Sequence, residues 1–220
     1  RKTQVQGGAG KKAAGQQQRE IELAKKYNGE LINVDSRQIY KYLDIGTNKG
    51  KLVAAPELEN CEYPRFYIDD SEIVINLVSF LEPDQICDAF TFRDIVYDLI
   101  GKLESQGKTA ILVGGSGLYM QTILHPNDFN AKASADPLLR QELNDKQLKE
   151  HQDMLPSKVM DELNNSDRNN PRRLVRLIEK HRSPETIDFQ SYPTYEFEKH
   201  YLEIEINDLE PNLKARAKDM

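Results

Sequence analysis

Four short stretches carry residue types suited to phosphate and proton chemistry. The first is NVDSRQIYKYLDIGTNKG, residues 33–50. Asp35 stands just past an apolar run, where a carboxylate projects from a strand end and can take a proton or hold a metal. Ser36, Gln38 and Thr47 add hydrogen-bonding groups, and Lys49 a cation. The same Asp35-Ser36 pair could instead cap a following helix. The second is GGSGLY, residues 114–119, where glycines and Ser116 let a ligand approach the backbone and a helix start can hold an anion. A tight strand–helix turn uses glycine in the same way. The third is PRRLVRLIEKHR, residues 171–182, in which Arg172 and Arg176 share a helix face beside Arg173. Guanidinium groups suit phosphates bidentately, although a solvated face backed by Leu174, Leu177 and Ile178 has the same spacing. The fourth is GKKAAGQQ, residues 10–17. Gly10 and Gly15 have the spacing of a phosphate loop, G-x-x-x-x-G-K-[ST], but Gln16 and Gln17 stand where lysine and a hydroxyl residue belong. Together these residues describe a site for a pyrophosphate, a polar acceptor and RNA. They do not choose among kinases, nucleotidyl enzymes and prenyl transferases.

The intervening pattern supplies the elements that must hold them. Residues 17–27 read as a helix ended by Asn28-Gly29. ELINV (30–34) and TAILV (109–113) are short apolar runs of buried strands, and a further strand lies within EIVINLVSF (72–80). Residues 90–107 form an amphipathic helix with Ile95, Leu99 and Leu103 on one face. GLYMQTIL begins another helix, and HYLEIEI (200–206) is a late strand. This alternation predicts an α/β fold with a parallel sheet covered on both faces. From His125 the chain turns polar, with short helical patterns near 136–150 and 156–164 and a Pro-initiated helix at 171–182. The expected division is an α/β core over 1–124, a helical insertion over 125–170 that faces RNA, and a return to the core over 171–220.

Composition narrows the classes. The 220 residues are 38% hydrophobic, enough for one sizeable domain and a small appendage. No apolar run approaches a membrane span, so no membrane partner is expected. The two cysteines form no metal spacing, and a reducing, cytoplasmic setting is expected. The net charge of −6 excludes a generally basic coat but not a local basic patch.

The order of the motifs resembles one family. GELINVDSRQIYKYLDIGTNK is similar to the D-S-x-Q-x-Y…D-I-G-T-x-K signature of the bacterial-type tRNA dimethylallyltransferase (tRNA isopentenyltransferase) family. ILVGGSGLY resembles its L-V-G-G-T-G-L-Y with Ser116 for the usual Thr, and SDRNNPRRLVRLIE its arginine motif. FLEPDQICDAFTFRD sits where the family has a D-P-x-x-x-[FY]-S-x-x-x-F segment. The resemblance implies a P-loop NTPase-like α/β fold with a small helical insertion. It also implies transfer of the dimethylallyl group of dimethylallyl diphosphate to the exocyclic amine of an anticodon-loop adenine in tRNA, with Mg²⁺, by a cytoplasmic monomer. By the same resemblance Asp35 is the base that deprotonates the amine, and Ser36, Arg37 and Gln38 hold the flipped-out adenine, which is inaccessible while stacked. Gly10, Gly15, Gln16, Gln17, Thr47, Lys49 and Gly115 surround the diphosphate, with Mg²⁺ near Gln17 and Asp35. Ser116, Arg172, Arg173 and Arg176 meet the tRNA, and Arg176 also meets the departing diphosphate.

The sequence departs from that pattern in places. Lys11, Lys12, Ala14, Gln16 and Gln17 replace the loop's usual side chains. The preceding RKTQVQGGA, expected to be the first central strand, is polar apart from Val5, a poor fit to a strand buried on both faces. Residues 51–70 match the family weakly, and Asn76 stands where a histidine is expected. The insertion is short, and the sequence stops at Met220, before the C-terminal helices usual in the family. A decayed loop with impaired catalysis, or a gene that differs over residues 1–20, would explain the loop. Three other functions stay open: an adenylate isopentenyltransferase acting on a free nucleotide, a catalytically impaired RNA-binding relative, and a small-molecule kinase.

Overall fold

A computed structural model describes residues 2–7, 16–54, 62–126, 136–182 and 192–201. It divides into two compact units, one of Arg1–Asp128 with Tyr192–Met220, the other Phe129–Ser191.

The first unit is built on a seven-stranded sheet: β1 (Lys2–Gly7), β2 (Gly29–Asn33), β3 (Leu52–Ala54), β4 (Arg65–Ile68), β5 (Val74–Asn76), β6 (Thr109–Gly114) and β7 (Glu196–Tyr201). Their order is β3-β4-β5-β2-β6-β1-β7. The five strands from β5 to β7 run parallel. The expected all-parallel sheet needs correction at one edge, where β4 pairs antiparallel with both β3 and β5. β5 keeps only three residues of the apolar run at 72–80 because Leu77 (φ 61°) and Ser79 (φ 52°) turn the backbone out of the strand. β1 does form despite its polar letters. It pairs with β6 on one side and β7 on the other, because ladder bonds use backbone groups that every residue carries.

Strand alternation sends side chains to both faces. From β2, Ile32 packs with Phe92, Val96 and Ile100 of α2 (Ala89–Ser105) and with Ile123 of α3 (Gly117–Leu124). Leu31 instead packs with Leu23 and Ala24 of α1 (Gln16–Tyr27). α2 buries Phe92, Val96, Ile100 and Leu103, a strip adjacent to the expected Ile95–Leu99–Leu103 line, whose first two members are only partly buried. Asp88 caps it, accepting from the Phe90 (3.1 Å) and Thr91 (2.8 Å) N–H groups.

The second unit holds α4 (Pro137–Asn144), α5 (Leu148–Asp153), α6 (Ser157–Glu162), α7 (Asn165–Arg168) and α8 (Pro171–Arg182). Its core is Leu139, Leu143, Leu155, Leu174 and Ile178. The last two lie on α8, so the arginine helix belongs with the insertion and does not return to the sheet as the 171 boundary expected. Spacing reveals that α8 has an apolar face, but not which core receives it.

Candidate active site

The site starts where β2 and β6 end side by side. Val34 N–H donates to Val113 O (2.7 Å) and Ser116 N–H returns to Val34 O (3.3 Å), so the chain leaving β2 is tied to the chain leaving β6. The approach is close: a Cβ on Gly114 would sit 2.1 Å from Val34 O, which leaves glycine as the residue that fits. Ser116 precedes α3 but makes no side-chain cap to it. Its hydroxyl turns the other way, accepting from Ser36 N–H (2.8 Å) and donating to Ser36 Oγ (3.1 Å). Asp35, Ser36 and Ser116 are thus brought together at the carboxyl ends of adjacent parallel strands, the usual place for ligands in such sheets.

Asp35 itself is oriented by backbone. Oδ1 accepts from the N–H groups of Arg37 (2.9 Å) and Gln38 (3.3 Å). The capping interaction and a chemical role are therefore compatible: one oxygen fixes the turn, and among the described residues Oδ2 takes no hydrogen bond. A half-buried carboxylate held in this way presents one oxygen in a set direction, as a base requires. Arg37 beside it is exposed.

Gln38, Thr47 and Lys49 are arranged differently from the expectation. Gln38 is buried, and its Nε2 donates to the carbonyls of Thr47 (2.9 Å) and Asn48 (2.8 Å). The Thr47 hydroxyl donates to Leu43 O. Lys49, with a side chain 4% exposed, donates to Tyr40 O and to Asp44 Oδ1, each at 2.6 Å. These polar groups hold the 40–49 loop closed on itself, so the Lys49 ammonium is turned into the loop, against the Asp44 carboxylate. The loop raises Tyr42 and Ile45 into solvent, 77% and 83% exposed. Lys41 secures its base through Glu82 (2.6 Å), a contact that the sequence reading had not singled out.

Gly10 and Gly15 lie outside the described residues, so the backbone of the phosphate loop is not placed. Gln16 opens α1. Gln17 reaches the same 40–50 loop, where a Cβ on Gly50 (φ 78°) would come within 3.1 Å of its Oε1. Gly115 is exposed at the end of β6. Among the described residues no cluster of three acidic, histidine or cysteine side chains forms a metal centre.

The arginines belong to the second unit. Arg172 is exposed with no ionic partner among the described residues. Arg173 pairs with Asp167, and Arg176 Nη1 lies 3.1 Å from Glu179 Oε2. Glu179, missed by the sequence reading, is buried and also holds Arg140 of α4. Burial pushes its carboxyl up, but hydrogen bonds from Arg140, Arg176 and Asp136 N–H bring it below the ordinary value.

Comparison with known proteins gives one answer. The family model described as IPP transferase matches residues 38–220. The tRNA dimethylallyltransferase of Endomicrobium trichonymphae is 34% identical over 171 residues, 78% of this chain and 53% of that protein. That of Bacillus pumilus is 35% identical over 134 residues, 61% of this chain and 37% of that protein. The chain therefore spans about half or less of these relatives' length. Among solved structures, the tRNA delta(2)-isopentenylpyrophosphate transferase of Staphylococcus epidermidis superposes with a TM-score of 0.55 at 25% identity, covering 99% of this chain and 69% of that one. A eukaryotic dimethylallyltransferase acting on tRNA superposes with a TM-score of 0.66 at 21% identity, covering 99% of this chain and 54% of that one, and shares the fold.

Proposed function

The chain belongs to the IPP transferase family, and from that premise we propose that it transfers the dimethylallyl group of dimethylallyl diphosphate to the exocyclic amine of an adenine in tRNA. The observation that carries the reading is Asp35: Oδ1 is pinned by two backbone N–H groups, and Oδ2 is left to accept a proton. In the reaction the amine nitrogen bonds to the allylic carbon while the carbon–oxygen bond to the diphosphate breaks. The electron pair leaves on the diphosphate oxygen, and the amine proton passes to Asp35 Oδ2. Ser36 and Ser116, locked to each other, offer hydroxyl groups beside the carboxylate for the edge of the flipped-out base. The uncapped start of α3, a positive dipole end, favours an anion near Gly115 and Ser116.

Mg²⁺ would neutralise charge on the diphosphate. Asp35 and the Gln17 amide oxygen would be the protein groups that hold it, as the resemblance implies. That small donor set suits an ion carried mainly by phosphate oxygens and water. With Lys49 turned inward, the uncapped start of α3 is the feature among the described residues that favours the diphosphate. The reading includes a monomer acting in the cytoplasm, as the resemblance implies. Among the described residues no helix is long and apolar enough to cross a membrane.

The test is transfer from labelled dimethylallyl diphosphate to unmodified tRNA and, separately, to free adenylate. Label on tRNA, abolished by Asp35→Asn, is expected. Label on the free nucleotide alone would make it an adenylate prenyltransferase. RNA binding without transfer would make it the impaired relative that Gln16 and Gln17 suggest.

A further inference from the structure

The second unit ties the end of the arginine motif to an arginine outside it. Glu179 of α8 has a side chain with 0% exposure, yet it bonds two arginines whose side chains are 50% (Arg140) and 40% (Arg176) exposed. Its Oε1 accepts from Arg140 Nε (2.5 Å) and from Asp136 N–H (3.1 Å). Its Oε2 accepts from Arg140 Nη2 and Arg176 Nη1, both at 3.1 Å. Four donors fill the sites a carboxylate offers.

Two consequences follow from the chemistry. Each guanidinium carries five N–H donors in a fixed plane. Arg140 uses one Nε–H and one Nη2–H on Glu179, a two-point contact that sets its plane, and Arg176 one Nη1–H, so both retain further donors. In addition, one carboxylate cannot neutralise two guanidiniums that meet at the same oxygen. The cluster keeps a net positive charge and mutual repulsion, which a further anion would relieve. An interior clamp would bury its arginines with its glutamate; here the acid is buried and the cations are half in water.

We propose that Arg140 and Arg176, set by Glu179, form a two-arginine site for a backbone phosphate of the RNA substrate. The inference rests on the RNA-modifying reading above and adds Arg140 and the anchoring Glu179 to it. Bidentate guanidinium donors match phosphate geometry, and pre-orientation by a buried acid reduces what each side chain loses on binding.

The experiment measures RNA binding by the full chain against salt, for the parent, Arg140→Gln, Arg176→Gln, the double variant and Arg140→Lys. A melting curve and the KM for dimethylallyl diphosphate accompany each. Each phosphate contact contributes about 0.9 to the slope of log affinity on log salt. Arg140→Gln should lower the slope by about that amount, so that its deficit against the parent shrinks about threefold between 50 and 200 mM salt. Arg140→Lys, which keeps charge but loses the fork, should recover the slope and only part of the affinity. The double variant should lose less than the two singles together, because both grip one phosphate. Arg140→Gln and Arg140→Lys should leave the KM for dimethylallyl diphosphate unchanged. An unchanged slope with a lower melting temperature would reduce the cluster to a structural clamp and overturn the proposal. A raised KM with intact RNA binding would assign it to the diphosphate and overturn it equally. If the parent binds RNA with this arginine dependence but transfers no prenyl group, the reaction assigned above falls and the phosphate site stands. If the parent binds no RNA, both fall.

Discussion

The strand-end site and the arginine cluster solve the same problem, holding a charged group in one direction, by opposite means. Asp35 is oriented by N–H groups two and three residues further along its own chain. Arg140 is oriented by a carboxylate 39 residues away on another helix. The first is a property of a turn and survives small changes in packing. The second exists only when α4 and α8 pack through Leu139, Leu143, Leu174 and Ile178. The chemistry proposed for Asp35 needs an atom at a fixed position and would sit on the local device. Electrostatic attraction, which falls off gently with distance, tolerates the device that depends on tertiary packing.

The sharpest way to break this comparison is at Asp35. Asp35→Asn keeps an oxygen for the Arg37 and Gln38 N–H groups and replaces the proton-accepting oxygen with a donor. Prenyl transfer should fall by about 10²–10⁴-fold, the range for a lost general base, while melting temperature and RNA affinity hold. Transfer within a few-fold of the parent, measured in single turnover, would remove Asp35 from the chemistry.

The next effect is one of stability, and it belongs to the other region. Glu179→Gln removes a charged acceptor of four hydrogen bonds, and one such bond to a charged group is worth about 1.5–3 kcal/mol. Because the partner arginines remain half in water, a loss near 2 kcal/mol is expected, confined to the second unit. Its pH dependence has a definite sign. The Glu179 carboxyl lies below its ordinary value of 4.5 in the folded state, so its contribution is complete above about that pH. It disappears as pH falls through the lowered value. Hydrogen exchange of α4 and α8 amides between pH 6 and 3 should show the parent losing protection, whereas the variant has less to lose. Equal acid sensitivity in both would mean that Glu179 is not the group responsible.

The same contrast explains what could be read from the letters. The elements β2, α1, α2, β6, α3 and α8 were legible because each has its own apolar period or cap. The Asp35–Ser36 and Ser116 positions were legible as strand ends. β1 was not, because KTQVQG forms its strand through backbone pairing with β6 and β7, which side-chain pattern does not record. The antiparallel β3–β4 edge was not, because Leu52–Ala54 is three residues long. The domain boundary at 171 was missed because a helix's apolar stripe does not name its partner. Arg140 and Glu179 were missed for a related reason: a lone arginine in a polar helix and a glutamate at the end of an arginine motif have no sequence relation until they meet. Lys49 was read as a cation for the diphosphate, and nothing in DIGTNK shows that the loop folds back on its own ammonium.

That loop gives a smaller test. Lys49→Met keeps the stem and deletes the donors to Tyr40 O and Asp44. The loss should be about 1–2 kcal/mol, since a hydrogen-bonded charge is removed but Asp44 can return to water. It should appear as faster exchange over residues 40–49, with RNA binding little changed and transfer reduced only as far as the loop guides Asp35. A large rise in the KM for dimethylallyl diphosphate with no loosening of the loop would instead restore Lys49 to the diphosphate.

The smallest effect separates two neighbouring arginines. Arg172 is exposed and unpaired among the described residues, on the same stripe as Arg176 one turn on. Arg173 is committed to Asp167. An unpaired guanidinium can approach a phosphate without breaking an existing contact, whereas Arg173 must first give up its carboxylate. Arg172→Ala should therefore lower the salt slope of RNA binding by up to about 0.9, with stability unchanged within about 0.5 kcal/mol. Arg173→Ala should alter RNA affinity less and stability more, because it leaves Asp167 without its partner at the junction of α7 and α8. Surface pairs of this kind are worth about 0.2–1 kcal/mol, so the stability difference is small and is best read as a paired melting comparison. The opposite order, with Arg173 carrying the salt dependence and Arg172 silent, would mean that RNA displaces Asp167 on binding. The second unit would then rearrange around its ligand, and its charges would not be set in advance as those on Glu179 are.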